Sequence, residues 1–596
     1  MVTYKAPLRD MRFVLYELHR GDALAQLPGF EEMTRDLIDP VLEEAAKLCE
    51  EVLFPLNRPG DEDGCVFENG VVRTPRGFQE AYRTFREGGW TSIACDPAYG
   101  GQGLPHSIAT LIDEMICSSN LSFGLYPGLS YGAYVALHAY GSDALKDMYL
   151  PKLVEGVWSG TMCLTEPHCG TDLGLLRTRA VPKDDGSYRI TGTKIFISAG
   201  DHDLTENIVH LVLARLSDAP LGIGGISLFL VPKFLVGDDG SLGARNGVAC
   251  GSIEHKMGIK ASATCVINFD DAMGWLVGEP HKGMRAMFTM MNTERLAVGT
   301  QGLGLAEASY QGAVAHARER LQGRALPGAK HPDKPADPII VHPDVRRMLL
   351  TQRAYIEGCR ALGGWVARAL DEQHRNPDPA QRAAAEDLVA LLTPTVKALF
   401  TDLGFEATNL GLQVLGGHGY IREQGMEQYV RDCRITQIYE GTNGVQALDL
   451  VGRKLSADGG RLLRQFFQPI AGFIEERAGD REFAPFAEPL AKAFDDLQRA
   501  TAQIAHDGNA DPEGAGAAAS DYLRLFGLTA LAYMWARAAE VALLKVKNGA
   551  DRDGFYKAKL GTARFFMERL LPQTRGLLAA IMAGARSIIE FDDAAL

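Results

Sequence analysis

The chain has 596 residues, of which 46% are hydrophobic and 23% charged, with a formal net charge of −14. Domains usually run to ~100–200 residues, so three or four globular domains are expected. The acidic balance argues against a broad basic surface for nucleic acid or anionic membrane. The ten cysteines include no Cys-x-x-Cys pair and read as reduced core thiols, not a disulfide or zinc framework.

The N-terminus, Met-Val-Thr-Tyr-Lys-Ala-Pro-Leu-Arg-Asp, lacks the apolar run of a signal peptide and the Arg- and Ser-rich character of a transit peptide. No apolar stretch of ~18 residues suggests a membrane span. The expected setting is bacterial cytoplasm. An N-terminal arm, 1–34, contains one helix around Met11–Leu18. From 35 to 158 the pattern is helical, with Ile38, Val41, Leu42, Ala45 and Leu48 at helical spacing. Pro55 and the Gly/Asp-rich run 59–64 are expected to interrupt it. Gly100-Gly101-Gln102-Gly103 follows no strand and reads as a plain turn.

From 159 to 282 the texture changes to alternation rich in β-branched and aromatic residues, as in Tyr188–Ser198, His210–Leu216 and Gly225–Val231. This predicts a small antiparallel β domain or barrel. Helical periodicity returns over 283–456, broken by a Gly/Pro-rich stretch at 323–343. Residues 457–596 read as a further helical domain, with Asp507–Gly514 separating its halves. The fold class is α+β.

Four segments carry chemistry. Arg434–Val445 places Glu440 between Tyr439 and Gly441. Gly441 can take positive φ and lets backbone approach a ligand. A carboxylate held at such a turn, partly shielded from water, can act as a general base. Cys163–Asp172 is a turn rich in Thr and Gly, suited to a flavin edge and a phosphate. With Thr293–Gly299 and Gln413–Tyr420, these segments in this order resemble the acyl-CoA dehydrogenase family over roughly residues 35–455.

The resemblance implies an N-terminal helical domain, a middle β-barrel, a C-terminal four-helix bundle and FAD as cofactor. It makes Glu440 the base, with its backbone N–H helping to hold the thioester carbonyl. Glu294 is the alternative base, because a branched- and long-chain subset of the family takes its base from that helix. For FAD it implies Met162, Leu164, Thr165, Gly170 and Thr171 in one loop and Phe196 and Ser198 on a strand. Phe196 stands where the family often has Trp, which keeps the stacking and loses the indole N–H. Arg320 and Gln322 match Glu-Arg-x-Gln-Phe-Gly without its Phe. In the family that Arg reaches the FAD pyrophosphate of the neighbouring subunit, and an Arg fork suits phosphate oxygens. Gln413, Gly417, Thr442 and Asn443 complete the FAD set, while His418 reads as structural. Tyr439, Gly441, Arg295 and Arg360 are the substrate-binding candidates.

The extension, the arm and Leu125-Tyr126-Pro127-Gly128 resemble a long bacterial subgroup of the family. That implies 3-methylmercaptopropionyl-CoA or a short- or medium-chain acyl-CoA as substrate. It also implies an electron-transfer flavoprotein as acceptor and a homodimer, without nucleic acid, membrane or metal. Two alternatives stand beside it: an acyl-CoA oxidase, and a DNA-binding alkylation-response relative, which the acidic charge disfavours.

Overall fold

The computed structural model describes residues 3–596, so the first two residues of the expected arm lie outside the described residues. The chain forms two compact units. One runs from the described N-terminus to Ala46 and takes in Pro105–Ser118 and Val298–Leu596; the other comprises Lys47–Leu104 and Ser119–Ala297.

In the second unit, helix Phe54–Asp63 continues through Pro59, against the expected break. Pro55 occupies its first turn, where a missing N–H costs nothing. A two-stranded hairpin, Val66–Glu68 with Val71–Arg73, stands where only helix was expected. Its Asn69-Gly70 turn has φ of 53° and 77°, a strong short-range hairpin signal. Helix His106–Tyr140 breaks at Asn120, whose φ is −161°. The Asn120 side chain accepts from Phe123 N at 3.1 Å and donates to Leu53 O at 3.2 Å, so it caps the second half of that helix.

The sheet of this unit has seven strands: β1 Trp158–Cys163, β2 Arg179–Pro182, β3 Tyr188–Ser198, β4 Asn207–Leu216, β5 Ile226–Pro232, β6 Val248–Ile253 and β7 Thr264–Val277. The pairings β7–β3–β2–β4–β5–β7 close a five-stranded ring, with β6 added to β7 and β1 added to β4. The barrel is not wholly antiparallel as expected: β4 runs parallel to both β1 and β2. Its residues Asn207–Ala214 are buried without alternation, the pattern of a strand covered on both faces. Ile190, Val212, Phe229, Val231 and Ile267 fill the core behind the ring.

The first unit is helical, built on the C-terminal part of Gly283–Glu319, with Pro343–Arg375, Pro379–Val414, Ala484–Ala510 and Pro512–Lys547. The expected break at 323–343 is the loop before Pro343. At the second expected break, Asp511 ends one helix and caps the next through Gly514 N at 3.1 Å. The helices after 456 pack directly on those before it. Trp535 Nε1 donates to Ala354 O at 3.1 Å, and a Cβ at Gly527 would lie 2.7 Å from Leu399 Cδ2. Among the described residues one helix, Pro379–Val414, is long and apolar enough to cross a membrane, against the expectation of none; 78% of its most apolar stretch is buried within the protein.

Candidate functional site

The base candidate sits in the first unit. Helix Met426–Arg434 tightens into a 3₁₀ turn, Ile435–Gln437, and the chain turns before helix Asn443–Asp449. Glu440 has φ 58° and Gly441 φ 83°, so two consecutive residues are left-handed. A non-glycine residue held there costs about 1–3 kcal/mol, and such strain persists only where neighbours over-determine it. The neighbours are polar. Gln446 Nε2 donates to Gly441 O at 3.0 Å, and the Tyr439 hydroxyl donates to Gln301 Oε1. Thr442 Oγ1 donates to Gln437 O at 3.3 Å.

Asn443 was expected to touch FAD, but its amide is engaged by the protein. It accepts from the fully buried Lys397 Nζ at 2.8 Å and donates to Asp402 Oδ1 at 2.7 Å and Thr401 Oγ1 at 3.0 Å. Gln437 Nε2 meets the same Asp402 oxygen at 2.7 Å. Lys397 and Asp402 therefore clamp both ends of the turn that carries Glu440. Neither was singled out in the sequence; their spacing on one helix, Asp402 five residues after Lys397, gave no distinctive signal.

In the same unit Arg320 and Gln322 lie exposed beyond the helix that ends at Glu319, with Arg320 Nη2 3.4 Å from Gln322 Oε1. Gln413 and Gly417 are exposed, and a Cβ at Gly417 would meet nothing within 4 Å. The exposed His418 has its ring 6.1 Å from that of His316.

Arg360 is a correction. Expected against substrate, its guanidinium is 1% exposed and bonded to Asp10 at 2.5 Å, Glu114 at 2.5 Å and Glu307 at 2.6 Å. Lys559 joins the cluster through Asp10 and through Glu357 at 2.8 Å. Burial raises the Glu114 pKa against the pull of Arg360. These charges tie the arm and the C-terminal extension to the helices between them.

The flavin candidates belong to the second unit. β1 feeds Met162, Leu164 and Thr165 into the loop carrying Gly170 and Thr171. Thr165 O accepts from Ile195 N at 2.9 Å, which ties the loop to β3. Beneath it lies an ion pair that the sequence did not announce. Lys194, 0% exposed, donates from Nζ to Glu166 Oε1 and to Leu164 O, each at 2.9 Å. Glu166 also accepts from Arg177 N at 2.8 Å, Thr178 N at 3.0 Å and Thr178 Oγ1 at 2.5 Å. Burial alone would raise the Glu166 pKa, but Lys194 and these donors hold it below the usual carboxylate range.

Phe196 is not a regular strand residue. The β3–β7 register shifts between Ile197↔Cys265 and Lys194↔Ile267, so the chain bulges, and Phe196 adopts φ 59° with 59% of its surface exposed. A bulge re-aims a side chain out of the ladder. Ser198 follows, paired with Thr264. The hydroxyls of Thr165, Thr171 and Ser198 have no hydrogen-bond partner among the described residues, and a Cβ at Gly170 would meet nothing within 4 Å. Unengaged hydroxyls and an open glycine fit the polar edge of a bound cofactor.

Glu294 and Arg295, also in this unit, are buried at 6% and 4% exposure. Glu294 Oε1 lies against Gly132, where a Cβ would approach it to 2.4 Å, so a larger residue there would push the carboxylate aside. Arg295 Nη1 donates to Asn292 Oδ1 at 3.2 Å.

The 3-methylmercaptopropionyl-CoA dehydrogenase of Ruegeria pomeroyi is 44% identical over 575 residues, covering 96% of each chain. The chain belongs to the acyl-CoA dehydrogenase family. Models of the acyl-CoA dehydrogenase N-terminal, middle and C-terminal domains match residues 40–157, 161–272 and 281–455. An acetyl-CoA dehydrogenase C-terminal-like model matches 466–592. A butyryl-CoA dehydrogenase of Syntrophomonas wolfei is 34% identical over 99% of both chains. An acyl-CoA dehydrogenase of Bacillus anthracis, solved with FAD, shares the fold with TM-score 0.74 at 20% identity, over 96% of this chain and 91% of that one. This acyl-CoA dehydrogenase is thus an oxidoreductase of acyl-CoA from a family that uses FAD.

Proposed function

We propose that this enzyme introduces a trans-2,3 double bond into an acyl-CoA thioester, with Glu440 removing the Cα proton. The single observation that carries this reading is the left-handed turn at Glu440, clamped by Lys397, Asp402 and Asn443. The clamp fixes the carboxylate's backbone where an ordinary surface turn would relax. A base must stand within hydrogen-bond reach of its proton, and a rigid turn keeps it there. The Glu440 N–H helps to hold the thioester carbonyl, which acidifies Cα. Thr165, Thr171, Ser198 and the backbone at Gly170 hold FAD, and Phe196 covers one face of its ring system. FAD, when bound, supplies the acceptor for the hydride leaving Cβ. Arg320 and Gln322 serve the pyrophosphate bound on a second copy of the chain, with Gln413 and Gly417 on the adenosine half.

The substrate we favour is 3-methylmercaptopropionyl-CoA, with short- and medium-chain acyl-CoA next. The 44% identical relative carries the first name and a 34% identical one carries the butyryl name. That reading puts the enzyme in dimethylsulfoniopropionate degradation in bacterial cytoplasm, with an electron-transfer flavoprotein as acceptor. The assembly we favour is a homodimer, because the extension occupies helix faces of 343–414 that would otherwise be open to a partner. A tetramer mass by light scattering would refute it.

The test is a panel of saturated acyl-CoAs and 3-methylmercaptopropionyl-CoA given to purified yellow protein, read by dye reduction and by hydrogen peroxide. Dye reduction without stoichiometric peroxide supports a dehydrogenase; peroxide in step with substrate supports an oxidase. A colourless protein that FAD does not reconstitute would contradict the reading.

A further inference from the structure

The segment after Arg320 departs from the family motif, since Gly323 follows Gln322 directly and a long loop intervenes before Pro338. Its course is closed at the base by a short ladder. Gln322 N donates to Asp337 O, Asp337 N to Gly323 O, and Ile339 N to Arg320 O, at 2.9, 2.9 and 2.8 Å, with Leu321 bridged to Pro338. Arg320 and Gln322 therefore stand on successive rungs at the base of a closed loop, Gln322 on the inner one. His342 Nε2 lies 2.7 Å from Gln322 O and adds a second hold on that rung.

What fills the loop is one carboxylate. The Asp337 side chain is wholly inaccessible. Its oxygens accept from Ala325 N at 2.9 Å, His331 N at 2.7 Å and Lys330 N at 3.1 Å. Arg324 stands 3.5 Å away and crosses the loop to His331 O at 2.9 Å and Lys334 O at 2.6 Å. Burial would raise the Asp337 pKa, yet the three backbone amides hold it far below the usual carboxylate range. Three N–H groups that would otherwise need water converge on Asp337, which closes the loop around its carboxylate.

We infer that Asp337 is a positioning residue for the phosphate-binding pair Arg320 and Gln322: its carboxylate folds the 323–338 loop, and the loop's base fixes where the Arg320 guanidinium points. The inference rests on the reading that Arg320 serves the FAD pyrophosphate. A long surface Arg loses side-chain freedom on binding, and a rigid base reduces what is left to lose.

The experiment is a double-mutant cycle on FAD affinity in the full-length chain, with apoprotein titrated by FAD and binding read by flavin fluorescence. Asp337→Asn keeps the shape and turns one acceptor into a donor. It should weaken FAD binding by about tenfold, equivalent to ~1.4 kcal/mol. In an Arg320→Ala background the same change should weaken it less than about twofold, because the two residues act as one unit. Equal weakening in both backgrounds, or none in either, overturns the inference. If Arg320→Ala itself leaves FAD affinity unchanged, it is the pyrophosphate reading that fails. Asp337→Glu, which retains the acceptors, should recover part of the affinity, and limited proteolysis should cut the 324–336 loop faster in Asp337→Asn than in the parent. A parent-like cleavage rate in Asp337→Asn would also overturn the proposal.

Discussion

Glu440 and Phe196 are both non-glycine residues with left-handed backbone, at φ 58° and 59°, and they are held in different ways. Phe196 lies in a sheet. Its flanks, Lys194 and Ile197, are laddered to Ile267 and Cys265, and the buried Lys194–Glu166 pair anchors the loop beside it. The main chain carries the strain, so the hydroxyls of Thr165 and Ser198 are left over for a ligand. Glu440 lies between short helices, where no strand can impose a conformation. Side chains must do it, and Asn443, Gln446, Gln437, Asp402 and Lys397 are consumed in doing so. Where backbone pairing supports a strained residue, polar side chains stay available for chemistry; where it does not, they become scaffold. The same contrast separates Thr165 from Asn443, although both stand in motifs that point toward FAD.

The largest effect should come from the sheet's anchor. Lys194→Met leaves Glu166 buried without its cation, and breaking such a pair typically costs ~3–5 kcal/mol. Thermal melts should show a strongly destabilised protein that loses flavin, with Lys194→Met/Glu166→Gln recovering part of the loss. If the single variant melts within about 1 kcal/mol of the parent, the pair does not anchor the loop.

A smaller effect is expected at the turn. Asn443→Ala removes one clamp and leaves the Lys397 and Asp402 groups short of a partner, a loss of ~1–3 kcal/mol. The flavin-reduction rate should fall about tenfold with FAD affinity changed far less, since each ~1.4 kcal/mol is tenfold. A fall in FAD affinity with reduction near normal would restore Asn443 as a cofactor contact and erase the contrast with Thr165.

The acid response is a further test. Burial depresses His202 and His210 in the barrel, and His19 in the helical unit, from 6.5 to about 3. Between those values the unfolded chain binds more protons than the folded one, so stability rises with pH. The melting temperature should therefore fall as pH drops from 6.5 toward 3. Burial raises Asp113 to about 7 and Asp371 to about 6, which acts in the opposite sense over this range, so the ring signals followed by NMR are the direct check: rings that titrate near 6.5 would contradict the prediction. The smallest change is Phe196→Gly, which relieves left-handed strain of about 1–3 kcal/mol while losing side-chain contact. Apoprotein stability should hold or rise while FAD binding weakens. A clear drop in apoprotein stability would mean that Phe196 packs as ordinary core.

The helix–strand–helix order was legible because hydrophobic period changes near 159 and 283, and the two motif turns were legible because their residue types are unusual together. The hairpin at Val66–Arg73 was missed because three-residue strands cannot establish a period, although Asn69-Gly70 signalled the turn. Parallel pairing of β4 follows from which strands meet across the ring, which local pattern does not encode. Arg360 shows the limit at single residues: its position on a helix was readable, but Asp10, Glu114 and Glu307 reach it from 53 to 350 residues away in sequence. Asn443 was readable as a site residue but not as a holder of the turn, since a holder and a ligand contact can be the same residue type, and Lys194 gave no signal at all.

We propose Glu440, not Glu294, as the base. Anaerobic stopped-flow bleaching of the flavin with saturating substrate tests it directly. Glu440→Gln keeps size and hydrogen bonding and removes the base. A general base contributes ~10²–10⁴-fold, so reduction should slow at least about 10²-fold with acyl-CoA still bound. Glu294→Gln, whose carboxylate packs against Gly132, should slow it far less. Near-normal reduction in Glu440→Gln together with loss in Glu294→Gln would contradict this assignment and move the base to the helix Gly283–Glu319.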